Sequence, residues 1–147
     1  MLNCTEKGVA WVVSDPNLPD MPIVFASDGF CALTGYDRED IVGKNCRFLQ
    51  GEGTNKADVQ IIRDGIKNQE DISICLLNYR KNGTKFFNQF FLCPLYGPES
   101  KTVPVYYLGV QAEVDKYKCG QNDMNIGYAG IWSDIVRYTR TFLSSNL

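Results

Sequence analysis

The side chains best suited to chemistry lie in the nine residues from Gly43 to Gly51. Cys46 is the central thiol, with Lys44 two residues before it and Arg47 directly after it. Cationic neighbours favour the thiolate form of a cysteine, so the sequence predicts that Cys46 is reactive. The alternative is that Cys46 is an inert buried thiol, which is the usual state of an unpaired cysteine.

Three polar side chains around that thiol suit a phosphorylated cofactor. Asn45 and Gln50 each carry an amide that both donates and accepts hydrogen bonds. Arg47 has a planar guanidinium that forms paired, charge-assisted bonds to a phosphate. With the thiol, these groups predict a bound cofactor with a polar ring and a phosphate tail.

A hairpin further along the chain carries two more amides. Residues 72–80 and 84–95 each show the alternating pattern of a β-strand, and a short loop separates them. A two-residue loop would turn Asn78 and Asn88 to opposite faces. We expect instead a three-residue loop with Gly83 in a bulge, which places both amides on one face.

The even-numbered face of this hairpin combines apolar residues with an amide edge. Its members are Ile72, Ile74, Leu76, Asn78, Phe86, Asn88, Phe90 and Leu92. This face fits a flat ring with one polar edge, although it also fits an ordinary core with two exposed amides at its rim. Alternation in the last strand, residues 103–114, adds Tyr107, Gly109 and Gln111. We expect Gly109 to leave room for a flat group and Gln111 to add a further amide.

The elements that position these residues follow from apolar spacing and breakers. We expect strands over residues 8–13 and 23–26, a short helix capped by Asp28 and ended by Gly35, and a helical turn starting at Asp37. The Cys46 segment follows Gly43 as another short helix.

A longer helix is predicted from Thr54 or Asn55 to about residue 68. Its inward residues would be Ala57, Ile61 and Ile62, with Gly65 or Ile66. Arg63 lies near this stripe, either as a solvated surface residue or as a second cation on the same phosphate as Arg47.

The opposite face of the sheet is also apolar. Its members are Cys75, Leu77, Tyr79, Phe87, Phe91, Cys93, Tyr106, Leu108 and Val110. A face of this kind is normally covered. Helical spacing over residues 128–143, after a polar linker, predicts a C-terminal helix that covers it, unless a second copy of the chain does so.

Composition excludes several classes of protein. The chain has 147 residues, which fits one domain, with 44% hydrophobic and 22% charged residues and a net charge of −2. We expect no sequence-independent binding of nucleic acid and no membrane span. The first residues lack the apolar core of a signal peptide, so we expect an intracellular, cytoplasmic protein.

Histidine is absent and cysteine occurs six times. The missing histidine removes Ser-His-Asp and Cys-His catalysis and a histidine ligand for haem. The cysteines are irregularly spaced and no secretion signal precedes them, so we expect reduced thiols rather than disulfides.

The Gly43–Gly51 stretch closely resembles the signature of light-oxygen-voltage (LOV) domains, the flavin-binding blue-light sensors of the PAS superfamily. The likeness extends from about Trp11 to Gln111, and it is closest to the phototropin and aureochrome type, given Asn78 and Asn88 with their neighbours. The resemblance implies an α+β PAS fold, with a five-stranded antiparallel sheet, helices on one face and FMN between them.

The resemblance also implies a role for each site residue. Cys46 would form the light-induced, reversible bond to carbon 4a of FMN, and Gln111 would relay the change at flavin N5. Arg47 and Arg63 would bind the phosphate. The remaining cofactor contacts would come from Asn45, Leu49, Gln50, Asn78, Asn88, Phe90, Leu92, Val12 and Ser14.

Several positions depart from the family pattern. Met21 stands where asparagine is usual, Ala10 replaces an asparagine that many members place close to the flavin, and residues 51–55 differ from the usual loop. Two extra residues precede Val103 in its loop. None of these positions is the reactive thiol or one of the amides.

We therefore expect a blue-light photoreceptor module, not an enzyme, with residues 1–8 as a flank, 9–114 as the LOV domain, 115–127 as a linker and 128–147 as a flanking helix. Its partners would be FMN and, through the outer sheet face, a second copy in a homodimer. The alternative functions are a thiol- or flavin-based redox sensor and an interaction module with another ligand or none.

Overall fold

The computed structural model describes residues 8–116 and residue 119. The strands in this part of the chain are β1 (Ala10–Ser14), β2 (Ile23–Ala26), β3 (Ile72–Tyr79), β4 (Lys85–Tyr96) and β5 (Pro104–Val114). They form one sheet in the order β2-β1-β5-β4-β3, with every neighbouring pair antiparallel. The helices α1 (Asp28–Thr34), α2 (Arg38–Ile41) and α3 (Lys56–Lys67), with a 3₁₀ helix (Cys46–Leu49), lie between β2 and β3. The predicted α+β fold with a five-stranded antiparallel sheet is confirmed.

The helices pack on one face of the sheet, which we call the inner face. Phe30 of α1 and Ile41 of α2 are fully buried in one cluster with Val12 of β1. Ile62 of α3 packs in a second cluster around Ile72 of β3. The Cys46 segment belongs to the first cluster, in which Leu49 is buried and against which Cys46 and Phe48 pack.

Ser27 is the N-cap of α1, so the predicted cap at Asp28 is wrong. The Ser27 hydroxyl accepts a hydrogen bond from the Phe30 amide at 3.2 Å. It also accepts from the Trp11 amide and donates to the Val9 carbonyl, both at 2.9 Å. Asp28 is already in the helix, where its carboxylate pairs with Arg38.

The inward stripe of α3 differs from the predicted one. Asn55 caps the helix, as one of the two predicted alternatives, by accepting from the Ala57 amide at 2.8 Å. Ile62, Gly65 and Ile66 face the sheet, but Ala57 is exposed and Ile61 is 52% exposed. The helix has two apolar positions side by side at 61 and 62, and packing on Ile72 selects only the second.

The β3–β4 hairpin has the predicted three-residue loop. The Arg80 amide donates to the Thr84 carbonyl at 2.9 Å, and Gly83 has a φ of +83°. The numbers of two residues that pair across the hairpin therefore add up to an even value, as for Leu76 and Asn88. Both asparagines lie on the inner face as a result.

The outer face of the sheet carries a separate apolar cluster. Cys93, Leu108 and Val110 are fully buried in it. Cys75 of β3 forms a disulfide with Cys119, which corrects the expectation of reduced thiols for this pair. Sequence spacing could not reveal the contact, because the sheet topology brings residues together that are 44 positions apart.

Some predicted elements cannot be compared with the structure. The helix predicted over residues 128–147 lies outside the described residues, as does most of the linker over residues 115–127. The domain boundaries therefore stay predictions.

Among the described helices, none has both the length and the apolar character needed to cross a membrane.

Candidate cofactor site

A cleft with about 650 Å³ of space, part of it open to solvent, lies between the inner face and the helices. Polar side chains occupy both of its ends and apolar ones its walls. Its lining residues are Ser14, Met21, Phe30, Asn45, Cys46, Arg47, Leu49, Gln50, Ile62, Ile66, Leu76, Asn78, Asn88, Phe90, Leu92 and Gln111.

Cys46 reaches this cleft from the first position of the 3₁₀ helix. Asn45 caps that helix by accepting from the Arg47 amide at 3.0 Å, which fixes the chain on either side of the thiol. The Cys46 sulfur lies 3.9 Å from the Ser14 hydroxyl at the end of β1. The residue is only partly enclosed as a whole, but protein atoms crowd the sulfur itself.

That crowding raises the pKa of the Cys46 thiol to about 11, because burial disfavours the charged form. The expectation of a thiolate is therefore wrong. The Lys44 ammonium lies over the rings of Tyr36 and Phe48, at 5.9 and 5.7 Å from their centroids. Arg47 pairs with Asp20. Neither cation offsets the burial of the sulfur, so Cys46 is a neutral thiol near pH 7.

The Asp20 turn forms one mouth of the cleft. The Arg47 guanidinium forms an ion pair with the Asp20 carboxylate, and both side chains are exposed. The Asn45 amide donates to the Asp20 carbonyl at 2.8 Å. Asp20 and Met21 have positive φ angles of 65° and 47°. The turn thus places an exposed arginine beside the cleft together with Gln50.

The amides of β3, β4 and β5 form the buried polar end. Asn88 donates from Nδ2 to the Asn78 Oδ1 atom at 2.9 Å. Asn88 Oδ1 and Gln111 Oε1 are buried and accept no hydrogen bond from any described residue. An unsatisfied buried polar atom costs about 1–3 kcal/mol. Two of them in one cleft indicate that a ligand with matching polar groups belongs there.

Gly109 does not provide the free space that the sequence suggested. A Cβ atom at this position would lie 3.1 Å from Phe90, 3.2 Å from Val12 and 3.3 Å from the Gln111 amide nitrogen. Neighbouring side chains have already closed over the glycine. The absence of a side chain at Gly109 lets Phe90 of β4 and Val12 of β1 pack closely against β5.

The structure brings most of the predicted site residues into one place. Ser14, Asn45, Cys46, Arg47, Leu49, Gln50, Asn78, Asn88, Phe90, Leu92 and Gln111 all line the cleft. Val12 and Arg63 do not. Val12 is buried beneath Gly109, and Arg63 is exposed on α3, next to the lining residue Ile62.

Five lining residues were not predicted as cofactor contacts: Met21, Phe30, Ile62, Ile66 and Leu76. Four of them are apolar side chains on inward faces, and their periodicity alone does not separate a cleft wall from a packed core. Met21 reaches the cleft through its left-handed turn, for which an ordinary proline-rich loop gives no signal.

The chain was compared with protein families and with known proteins, and both comparisons find similar sequences. A family model described as a PAS domain matches residues 9–114. Phototropin-1A of Oryza sativa subsp. japonica is 50% identical over 103 residues, which cover 70% of this chain and 11% of that protein. This chain thus spans about a tenth of the length of that relative.

Solved structures give the same comparison for the fold. The dark structure of the blue-light photoreceptor aureochrome1 LOV matches with a TM-score of 0.70 and 49% identity, over 74% of this chain and 77% of that one. A second structure, from work on the mechanism of light-oxygen-voltage domains with a flavin analogue, matches with a TM-score of 0.71 and 47% identity. The match covers 74% of this chain and 79% of that one.

Proposed function

This chain belongs to the PAS-domain family and, within it, to the blue-light-sensing LOV domains, and on that premise we propose that its cleft holds FMN as the chromophore. In this proposal the photoreactive group is Cys46. The amides of the sheet bind the flavin ring, and Gln111 responds to the change at its N5 atom.

The observation that carries the proposal is the pair of buried amide oxygens without partners, Asn88 Oδ1 and Gln111 Oε1. The pyrimidine edge of a flavin presents one N–H donor and two carbonyl acceptors. Asn78 and Asn88, linked to each other at 2.9 Å, offer both kinds of group on one face. The carboxamide of Gln111 can offer either its oxygen or its NH₂ group to a ring nitrogen.

The rest of the cleft suits the other parts of FMN. Leu49, Phe90 and Leu92 give apolar walls for the ring. Arg47 lies at the mouth in an exposed ion pair, and such pairs contribute little to stability, so the guanidinium can exchange Asp20 for a phosphate. We propose that Arg63, exposed on α3, turns toward the same phosphate.

Bound FMN would supply the light-absorbing ring, and Cys46 would supply both the sulfur that bonds reversibly to carbon 4a of that ring and the thiol proton that passes to N5. The raised pKa of Cys46 keeps that proton on the sulfur in the dark, so the residue supplies both the nucleophile and the proton. The Ser14 hydroxyl, 3.9 Å away, orients the S–H group.

The same pKa argues against a thiol-based redox sensor at Cys46. Thiol exchange and oxidation proceed through the thiolate, which a pKa of about 11 makes scarce near neutral pH. Flavin-based redox sensing remains the rival, and it requires no bond between the cysteine and the ring.

We propose that this segment turns over no substrate. Its output would pass to the chain after β5 or to a second copy on the outer face, where Leu108 and Val110 belong to an apolar cluster. The activity of any longer protein that contains the segment is not implied by its sequence.

Replacing Cys46 with alanine is the test. The purified parent protein should be yellow and should bleach reversibly under blue light. Cys46→Ala should keep the yellow colour and the fluorescence but lose the bleaching. Cys31→Ala removes another partly buried thiol on the inner face and should bleach like the parent. Reversible bleaching that persists in Cys46→Ala would favour flavin redox chemistry, and a colourless protein would exclude flavin.

A further inference from the structure

A disulfide outside the cleft joins the outer face of β3 to the chain beyond β5. Cys75 of β3 is buried, whereas Cys119 is only half-buried. Their Cα atoms lie 5.3 Å apart, within the range that a disulfide needs. Cys31 and Cys46, on the other side of the sheet, are not in disulfides.

The strand register places this disulfide behind the amide end of the cleft. Cys75 is opposite Gln89, and Gln89 is opposite Ala112, so the three form one row across the outer face. The residue before Ala112 is Gln111, whose side chain points to the cleft on the inner face. Because β4 lies between β3 and β5, the disulfide joins Cys119, five residues after β5, to a strand that is not a neighbour of β5 in the sheet.

The disulfide also closes a ring that contains the sensing strands. The ring runs from Cys75 to Cys119 and includes all of β4 and β5. Asn78, Asn88 and Gln111, the amides that line the cleft, are all inside it. Reducing the disulfide would break the covalent link between β3 and Cys119. It would not alter any residue that lines the cleft.

We propose that Cys75 and Cys119 are a reversible thiol–disulfide exchange site whose reactants are small-molecule thiols and disulfides. Its oxidation state sets how far the chain beyond Cys119 can move from the outer face. Cys119 is the less buried residue of the pair, so an external thiolate would attack its sulfur, and Cys75 would then be the leaving group.

An external thiolate bonds to the Cys119 sulfur, the Cys75–Cys119 bond breaks, and Cys75 takes up a proton as a thiol. A second external thiol resolves the mixed disulfide and leaves Cys119 as a thiol. The protein gains two electrons and two protons, and the external thiols become one disulfide. An external disulfide drives the same steps in reverse.

The exchange site is tested by counting thiols. The protein is equilibrated in glutathione buffers of graded ratio, quenched, denatured and labelled with a maleimide. Of its six cysteines, we expect two to be protected in oxidising buffer and none in reducing buffer, with the protected peptides containing Cys75 and Cys119. Cys75→Ser and Cys119→Ser should each abolish the protection, and Cys31→Ser should retain it.

Two results would overturn the exchange site. Protection that persists at every glutathione ratio would make the disulfide purely structural. Protection at no ratio would mean that the bond does not form in solution. The parent protein in its two redox states gives this answer even if a serine variant fails to fold.

The effect on the chain is tested by amide hydrogen exchange. Because closing the ring restricts opened states of the strands, exchange in β3 should slow by roughly tenfold or more on oxidation. The effect on light sensing rests on the proposed function. Blue light should raise exchange in residues 120–147 of the reduced protein by severalfold more than in the oxidised protein.

Equal light-induced changes in the two redox states would overturn the coupling. If neither state bleaches or changes under light, the proposed function fails and the coupling fails with it, but the thiol count still decides whether the exchange site exists. Cys75→Ser in oxidising buffer should respond to light like the reduced parent.

Discussion

The protonation of Cys46 follows from its position in the fold more than from its neighbours in the sequence. Lys44 and Arg47 flank it, yet the first lies over two aromatic rings and the second pairs with Asp20. Burial then governs the thiol and raises its pKa to about 11. Charges next to a residue in sequence act on it only if the local turn directs them toward it.

At the same scale, Arg47 and Arg63 should bind the FMN phosphate. Replacing both with alanine should weaken FMN binding far more than riboflavin binding, because riboflavin has no phosphate. A hydrogen bond to a charged group contributes about 1.5–3 kcal/mol, so loss of each arginine should raise the Kd for FMN by roughly tenfold to a hundredfold. Fluorescence titration with the two ligands measures the difference.

Arg38→Ala is the matched control for this pair. Arg38 is exposed and pairs with Asp28, away from the cleft, so its loss should leave both affinities unchanged. Equal losses of FMN and riboflavin affinity in the double variant would show that Arg47 and Arg63 act on the fold and not on the phosphate.

At the scale of elements, Ser27 connects α1 to the sheet. Its hydroxyl caps the helix, accepts a hydrogen bond from Trp11 of β1 and donates one to Val9, just before that strand. Since β1 also carries Ser14 into the cleft, this one side chain couples the placement of the helix to the placement of a site residue.

We expect Ser27→Ala to lower the free energy of unfolding by about 1–2 kcal/mol, since the helix loses its cap and two partly buried backbone groups, at Val9 and Trp11, lose their hydrogen-bond partner. Asp28→Ala should change it much less, because Asp28 makes only an exposed ion pair. Urea denaturation of the two variants decides which residue caps α1. A larger loss for Asp28→Ala would contradict the assignment.

At the scale of the whole molecule, β5 connects the cleft to the outer face. Gln111 lines the cleft, while Leu108 and Val110 of the same strand are buried in the outer cluster. A proton gained at flavin N5 turns an acceptor into a donor, and the Gln111 carboxamide can respond by rotating. Coupling of this kind requires two states that light populates differently.

Gln111→Leu should therefore still bleach under blue light but lose the response beyond β5, because leucine cannot reverse a hydrogen bond. In reducing buffer, light should raise hydrogen exchange in residues 120–147 of the parent severalfold and change it little in the variant. Gln60→Leu, on the exposed surface of α3, should respond like the parent. A full light-induced rise in Gln111→Leu would exclude this residue as the relay.

The features that the sequence predicted well depend on local patterns. Strand alternation places Asn78, Asn88 and Gln111 on one face, and Gly83 selects the loop that makes this true. The features that it missed are contacts between residues far apart in the sequence. Neither the bond from Cys75 to Cys119 nor the hydrogen bond from the Trp11 amide of β1 to Ser27 can be predicted before the strand order is known.

The strand order also has a consequence for how the chain folds. The first strand lies in the interior of the sheet, and Ala10 is opposite Gln111, near the end of the last strand. The β3–β4–β5 meander can form from contacts between consecutive segments, but β1 must wait for β5. Such non-local pairing slows folding, since most of the chain must be ordered before it is made. During synthesis on the ribosome, β1 and its thiol-facing Ser14 stay without a strand partner from β5 until the last strand has emerged.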